Sequence, residues 1–119
     1  MRNRETVFAF GILLWAVPAW AADAGHGRDL FTACLACHTE HADAQGPSLK
    51  GVVGRKAASL GDFRYSNAMA RADIVWDEAN LRDYLRDPQA KVKGNHMPFS
   101  GFTNARDADD VVAYLQTYK

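Results

Sequence analysis

The chain has 119 residues, 48% of them hydrophobic, and its 14 basic and 14 acidic side chains cancel to a formal charge of zero. That length allows one domain at most. The charge balance excludes the basic face that nucleic acid demands and a polybasic patch for anionic lipid.

The first segment reads as an export signal. Arg2 and Arg4 form a basic start, Val7 to Val17 an uncharged run of eleven residues, and Pro18 breaks it. Ala19-Trp20-Ala21 then supplies the small-x-small pattern of a cleavage site, which places the cut after Ala21. An uncleaved anchor would need roughly 20 apolar residues to span a bilayer, more than this run provides. The expected organisation is a cleavable signal over residues 1–21 and one domain over residues 22–119. Losing Arg2, Arg4 and Glu5 leaves 12 basic and 13 acidic groups on the mature chain, a formal charge of −1.

Three stretches carry helical period, and none alternates as a strand should. The first runs from about Ala24 into the cysteines, with Gly27, Phe31, Cys34 and His38 on one stripe. His26 falls just before it, in solvent. A short helix is expected around Ser66 to Arg71. The next helix follows Trp76, with Asp77 as N-cap and Trp76 stapled onto Leu81; Leu81, Tyr84 and Leu85 form its apolar face and Pro88 stops it. The last is NARDADDVVAYLQTY, capped by Asn104, with Val111, Tyr114, Leu115 and Tyr118 as its buried stripe. Two long loops, Thr39 to Val75 and Gln89 to Thr103, separate these helices. Loops of that length in a small domain usually surround something, and the helices alone offer a thin core. The expected fold is all-α, with three main helices and a short one around a gap suited to a large apolar ligand.

Both cysteines lie in CLACH, Cys34 to His38. Export favours a disulfide, yet a bridge over two intervening residues closes almost no loop and stabilises little. On a helix, Cys34, Cys37 and His38 project from nearly one face. Two thiols can then add to the vinyl groups of a porphyrin while the imidazole reaches its iron, and C-x-x-C-H is the signature of that attachment. A redox dithiol would follow a strand in a βαβ unit, which is missing here. Zinc, with His41 or His26 completing the set, would call for a second ligand pair farther along. The iron needs a second ligand or stays open. Met97 in KGNHMPF is the better candidate, because a methionine inside a polar, turn-rich loop has no evident core role and a His/Met pair suits haem. Met69 competes from a helical stretch, where methionine commonly fills core, and His96 is a possible replacement for Met97.

CLACH, GPSLKGVVGRK, YSNAMARADIVWDEANLRDYLRDP, NHMPFSGF and DVVAYL, in that order, span Gly27 to Tyr118. In these motifs the chain resembles the class I c-type cytochromes, the mitochondrial kind and their bacterial relatives. The resemblance implies a small cytochrome c fold around one covalently bound haem c, with His38 and Met97 on its iron. It implies that Gly27 and Phe31 cross the last helix at Val111 and Tyr114, and that the Pro47 carbonyl holds His38 Nδ1. Arg55, Tyr65 and Trp76 match residues that bond haem propionates, Tyr84 one beside the methionine sulfur, and Phe99 one covering the haem edge. Some positions depart from the mitochondrial pattern. Glu40, His41 and Asp43 occupy a shortened loop, Asn95 replaces the usual threonine beside the ligand, Met69 stands at a position often asparagine, and Pro98 follows Met97. Of the docking lysines only Lys50, Lys91 and Lys93 remain near the expected edge.

The function implied is that of a soluble, monomeric periplasmic electron carrier, not an enzyme. It would serve redox proteins such as a membrane cytochrome complex, a terminal oxidase or a periplasmic dehydrogenase, with no stable membrane insertion after cleavage. Two other classes use the same residues: a dedicated electron-accepting subunit of a dehydrogenase, and a haem peroxidase or gas sensor with an open iron.

Overall fold

The computed structural model describes residues 6–15 and 21–119. Of the expected export signal, Arg2, Arg4 and the stretch from Val17 to Trp20 lie outside the described residues. Residues 6–15 form no helix. Their large apolar side chains, from Val7 to Trp15, are between 81% and 95% exposed. Among the described residues no helix is long and apolar enough to cross a membrane.

Helix α1 covers Ala24–Phe31, with the Asp23 carboxylate accepting from the His26 amide as its N-cap. Two glycines in eight residues make this a weak helix by propensity, each costing about 1 kcal/mol relative to alanine. Gly27 explains the sequence choice: a Cβ there would run into the Asp110 carbonyl. The two terminal helices therefore touch backbone to backbone. One turn on, Phe31 is buried and stacks at 5.1 Å on both Tyr114 and Tyr118.

The first helix was expected to run through the cysteines, and it does not. The backbone tightens at its end, with Thr32 and Ala33 N–H bonding three residues back to Asp29 and Leu30. A single 3-10 turn, Cys34–Ala36, follows. The tightening brings Cys34 and Cys37 into line, because residues three apart eclipse in 3-10 geometry.

Helix α2, Asn67–Arg71, is capped by Ser66. Helix α3, Glu78–Arg86, starts at the Asp77 cap, whose carboxylate accepts from Asn80 N at 2.8 Å. It buries the expected Leu81, Tyr84 and Leu85. Pro88 ends α3 as the sequence predicts, but it also opens a helix inside the stretch expected to be loop. Helix α4, Pro88–Lys91, has Asp87 as N-cap, accepting from Ala90 N. A proline at the first helical position gives up only an amide that would be unpaired there anyway. Helix α5, Ala105–Leu115, carries Asn104 as its cap. Its buried stripe is wider than the four residues expected, because Ala108 and Val112 are sealed in beside Val111 and Leu115, while Tyr114 and Tyr118 are only partly buried.

The architecture is all-α. Helices α1 and α5 cross, and α3 packs on α5. Among the described residues there is no strand, only one isolated bridge between Lys56 and Val75. The long loop after the cysteines is tied down by backbone bonds from Gly51 to Tyr118 and from Gly54 to Trp76. The second loop is returned to α3 by Phe102 N bonding Leu85 O at 2.8 Å. Gly101 permits that return: its φ is +102°, and a side chain there would meet the Arg86 carbonyl.

Candidate haem site

The two tied loops and the buried faces of α1, α3 and α5 enclose a cavity of about 410 Å³, within the roughly 300–1,000 Å³ of ordinary cofactor sites. All eleven site residues expected from the sequence line it: Cys34, Cys37, His38, Pro47, Arg55, Tyr65, Trp76, Tyr84, Asn95, Met97 and Phe99. A second hollow of about 520 Å³ lies where Asp23 meets α3 and α5. Its charged lining, with Glu78, Arg82, Arg106 and Asp109, offers nothing to an apolar macrocycle.

Cys34 and Cys37 are free thiols. Burial pushes the Cys34 thiol above its ordinary pKa, so it stays protonated. Among the described residues neither cysteine belongs to a three-donor metal cluster, and His41, proposed to complete a zinc set, is exposed.

His38 is held on two sides. Its Nδ1 donates to the Pro47 carbonyl at 2.7 Å, which fixes the tautomer and leaves the Nε2 lone pair for a metal. Gly46 lies against the ring, and a Cβ there would sit 2.6 Å from it. The Gly46 N–H in turn bonds the Cys37 carbonyl at 3.0 Å, so the shortened loop folds back onto the motif. Burial lowers the His38 pKa; the Pro47 bond opposes that shift, and the nearby Arg55 charge adds to it. The imidazole is neutral and able to ligate.

Met97 enters from the other loop, and the departure at Asn95 acquires a purpose there. The buried Asn95 donates to the carbonyls of Pro88 and Val92, both at 2.9 Å, and its Oδ1 accepts from Met97 N at 2.9 Å. Gln89 grips the same turn from outside, bonding Asn95 O and Gly94 N. The loop is thus built on the C-terminal end of α4, the helix that the sequence reading did not contain. The Tyr84 hydroxyl lies 3.6 Å from the Met97 sulfur and donates to it; burial raises its pKa to about 12, which keeps the donor protonated. Met69 also lines the cavity, from α2. Among the described residues no hydrogen bond reaches its sulfur.

The polar groups of this cavity fit a carboxylate-bearing haem. Half-buried Arg55 bonds only the carbonyls of Ser48 and Lys50 and has no acidic partner among the described residues. Trp76 is buried against Tyr84, and its indole N–H has no hydrogen-bond partner among the described residues. Tyr65 receives Leu60 N on its oxygen, leaving its own hydrogen available. Three donors with spare capacity on an otherwise apolar wall suit propionates. The apolar lining itself, notably Val52, Leu81, Leu85 and Phe102, was missed as site residues. Helical period marks Leu81 and Leu85 as core without saying that their core faces a ligand, and Val52 and Phe102 lie in loops where no period marks them.

His26 was expected just ahead of the first helix and exposed, and it is exposed. It lies in the first turn of α1, with its ring bonded to Asp110 at 2.8 Å.

Residues 24–119 match the cytochrome c family. The chain is 37% identical to a cytochrome c2 of Blastochloris viridis, over 97% of this chain and 94% of that protein. It is 43% identical to cytochrome c2 iso-2 of Magnetospirillum molischianum, over 82% of this chain and all of that one. Among solved structures, cytochrome cH from Methylobacterium extorquens superposes with a TM-score of 0.75 at 41% identity, covering 81% of this chain and 99% of that one. With a C-x-x-C-H motif on a cavity of this shape, the chain belongs to the cytochrome c family, as a class I electron carrier with one covalently attached haem c.

Proposed function

We propose that the chain is exported, loses residues 1–21, and works in the periplasm as a soluble one-electron carrier whose haem iron is held by His38 and Met97. The observation that carries this reading is the pairing of a tautomer-fixed His38 with a hydrogen-bonded, loop-braced Met97 in one cavity. The bound haem supplies the ferrous–ferric couple. His38 offers Nε2, while the Pro47 bond and the Gly46 contact keep its ring from turning. Asn95 and Tyr84 hold Met97 in place, so its sulfur would serve as the iron's other protein ligand and leave no open site for substrate. Arg55, Tyr65 and Trp76 take the propionates, and Cys34 and Cys37 carry the thioether links. Export is supported by the small-x-small pattern at Ala21, by the unpacked apolar run before it, and by a family match that begins at residue 24.

The mature chain's formal charge of −1 gives it little long-range steering toward a charged partner, so docking should vary little with salt. The direct test is purification from the periplasmic fraction. The expected intact mass is that of residues 22–119 plus one haem, the redox cycle is reversible and transfers one electron, and the reduced protein does not take up carbon monoxide. Uptake of carbon monoxide by the native reduced protein would point to an open iron and a sensor or peroxidase.

A further inference from the structure

Outside the haem cavity, among the described residues, one group of side chains combines three metal-ligating donors. His26 comes from the first turn of α1; Asp107 and Asp110 stand three apart on the first turns of α5. One donor atom from each lies within 4.8 Å of the others. We propose that His26, Asp107 and Asp110 form a binding site for a zinc-type divalent cation that clips the start of α1 to α5.

The placement is unusually fixed for a surface site. The two helices meet backbone to backbone at Gly27, beside Asp110, so the donors ride on rigid elements and not on loops. Asp110 is oriented further by accepting Asp23 N on Oδ1 at 2.7 Å, while its Oδ2 faces His26 Nδ1 at 2.8 Å. Each carboxylate oxygen has a second lone pair, so Asp110 can keep the Asp23 bond and still ligate. Among the described residues the Asp107 side chain makes no hydrogen bond or ion pair, although its charge acts on His26. It is a partly buried carboxylate with an oxygen within 4.8 Å of the imidazole donor and no side-chain bond among the described residues.

An imidazole with two carboxylates suits zinc and its late-transition neighbours better than magnesium or calcium, which prefer all-oxygen shells. At zinc bond lengths of about 2.0–2.2 Å, tetrahedral ligand atoms sit roughly 3.3 Å apart. His26 and Asp110 need to part by about half an ångström, and Asp107 to swing in. Solvent or a further donor completes the shell. The His26 side chain is 47% exposed, which gives the ion a path in. Nearby charge favours a cation: Asp23 adds a third carboxylate, with Arg106 opposing.

The test uses haem-loaded mature protein and Zn²⁺, which is redox-inert and leaves the haem couple undisturbed. Titration calorimetry in a non-chelating buffer above neutral pH should find one zinc per chain, and zinc should raise the thermal unfolding midpoint. Asp107→Asn should leave the midpoint without zinc nearly unchanged, because the Asp107 side chain makes no hydrogen bond or ion pair among the described residues. It should weaken zinc binding by at least tenfold and remove the thermal shift. His26→Gln should do the same to binding, and His41→Gln should leave binding intact. Absence of saturable binding, or binding that survives either Asp107→Asn or His26→Gln, overturns the site.

Discussion

The Tyr84 hydroxyl donates to the sulfur of Met97 across 3.6 Å, joining α3 to the loop that closes the haem cavity. A donor on the thioether draws electron density from the sulfur and weakens its donation to iron, which disfavours the ferric form. Tyr84→Phe keeps the ring that packs on Trp76 at 5.0 Å and removes only the hydroxyl. Its reduction potential should fall. A hydrogen bond of about 0.5–1.5 kcal/mol corresponds to roughly 20–65 mV for one electron. Spectroelectrochemical titration of both proteins measures this, and an unchanged or higher potential would deny the bond its role.

Asn95 braces the same ligand from the other side. Asn95→Ala removes three side-chain bonds and leaves the carbonyl of Pro88 and the amide of Met97 without those partners. Global stability should fall by about 1–3 kcal/mol. Methionine ligation should be lost at a lower pH or denaturant concentration than global unfolding, as seen by following the ferric spectrum beside far-ultraviolet circular dichroism. If the two transitions remain coincident, the brace serves the fold generally and not Met97.

Gly27 sets helix propensity against packing. By propensity alone, Gly27→Ala should stabilise α1 by about 1 kcal/mol. The added methyl meets backbone at Asp110, which cannot step aside as a side chain can. Overpacking of this kind costs about 1–3 kcal/mol or more, so the net change should be destabilising. Chemical denaturation of the holoprotein gives the sign.

The His26–Asp110 pair makes stability depend on pH in a defined window. The bond to Asp110 raises the His26 pKa above its ordinary 6.5, so its stabilisation is complete below 6.5 and fades as pH rises through the raised value. The same bond lowers the Asp110 pKa below 3.8; that part is complete above 3.8 and fades as pH falls through the lowered value. The midpoint gap between the native protein and His26→Gln, measured in chelator, should therefore be widest between these limits and shrink above neutrality. A gap that grows toward alkaline pH contradicts the pairing.

Sequence made the ends of helices readable because caps are local. Asp77, Asn104 and Ser66 act through amides two or three residues away. The C-x-x-C-H motif was readable for the same reason, since its chemistry fits in five residues. Pro88 shows where locality misleads: a helix stop and a helix start share one residue, so α4 was read as loop. The bracing role of Asn95 was hidden with it, because its partners at Pro88 and Val92 matter only once that helix exists. The Gly27 crossing depends on Asp110, 83 positions away, and no periodicity within α1 reports it. The His26–Asp110–Asp107 group is of the same kind.

The central claim is a haem iron held between His38 and Met97, and a comparison of ferric optical spectra tests it most directly. The native protein and Met69→Ala should both carry the weak long-wavelength band of methionine–ferric ligation, and Met97→Ala should lose it while its reduced form gains carbon monoxide binding. Persistence of the band in Met97→Ala, or its loss in Met69→Ala alone, would contradict the account.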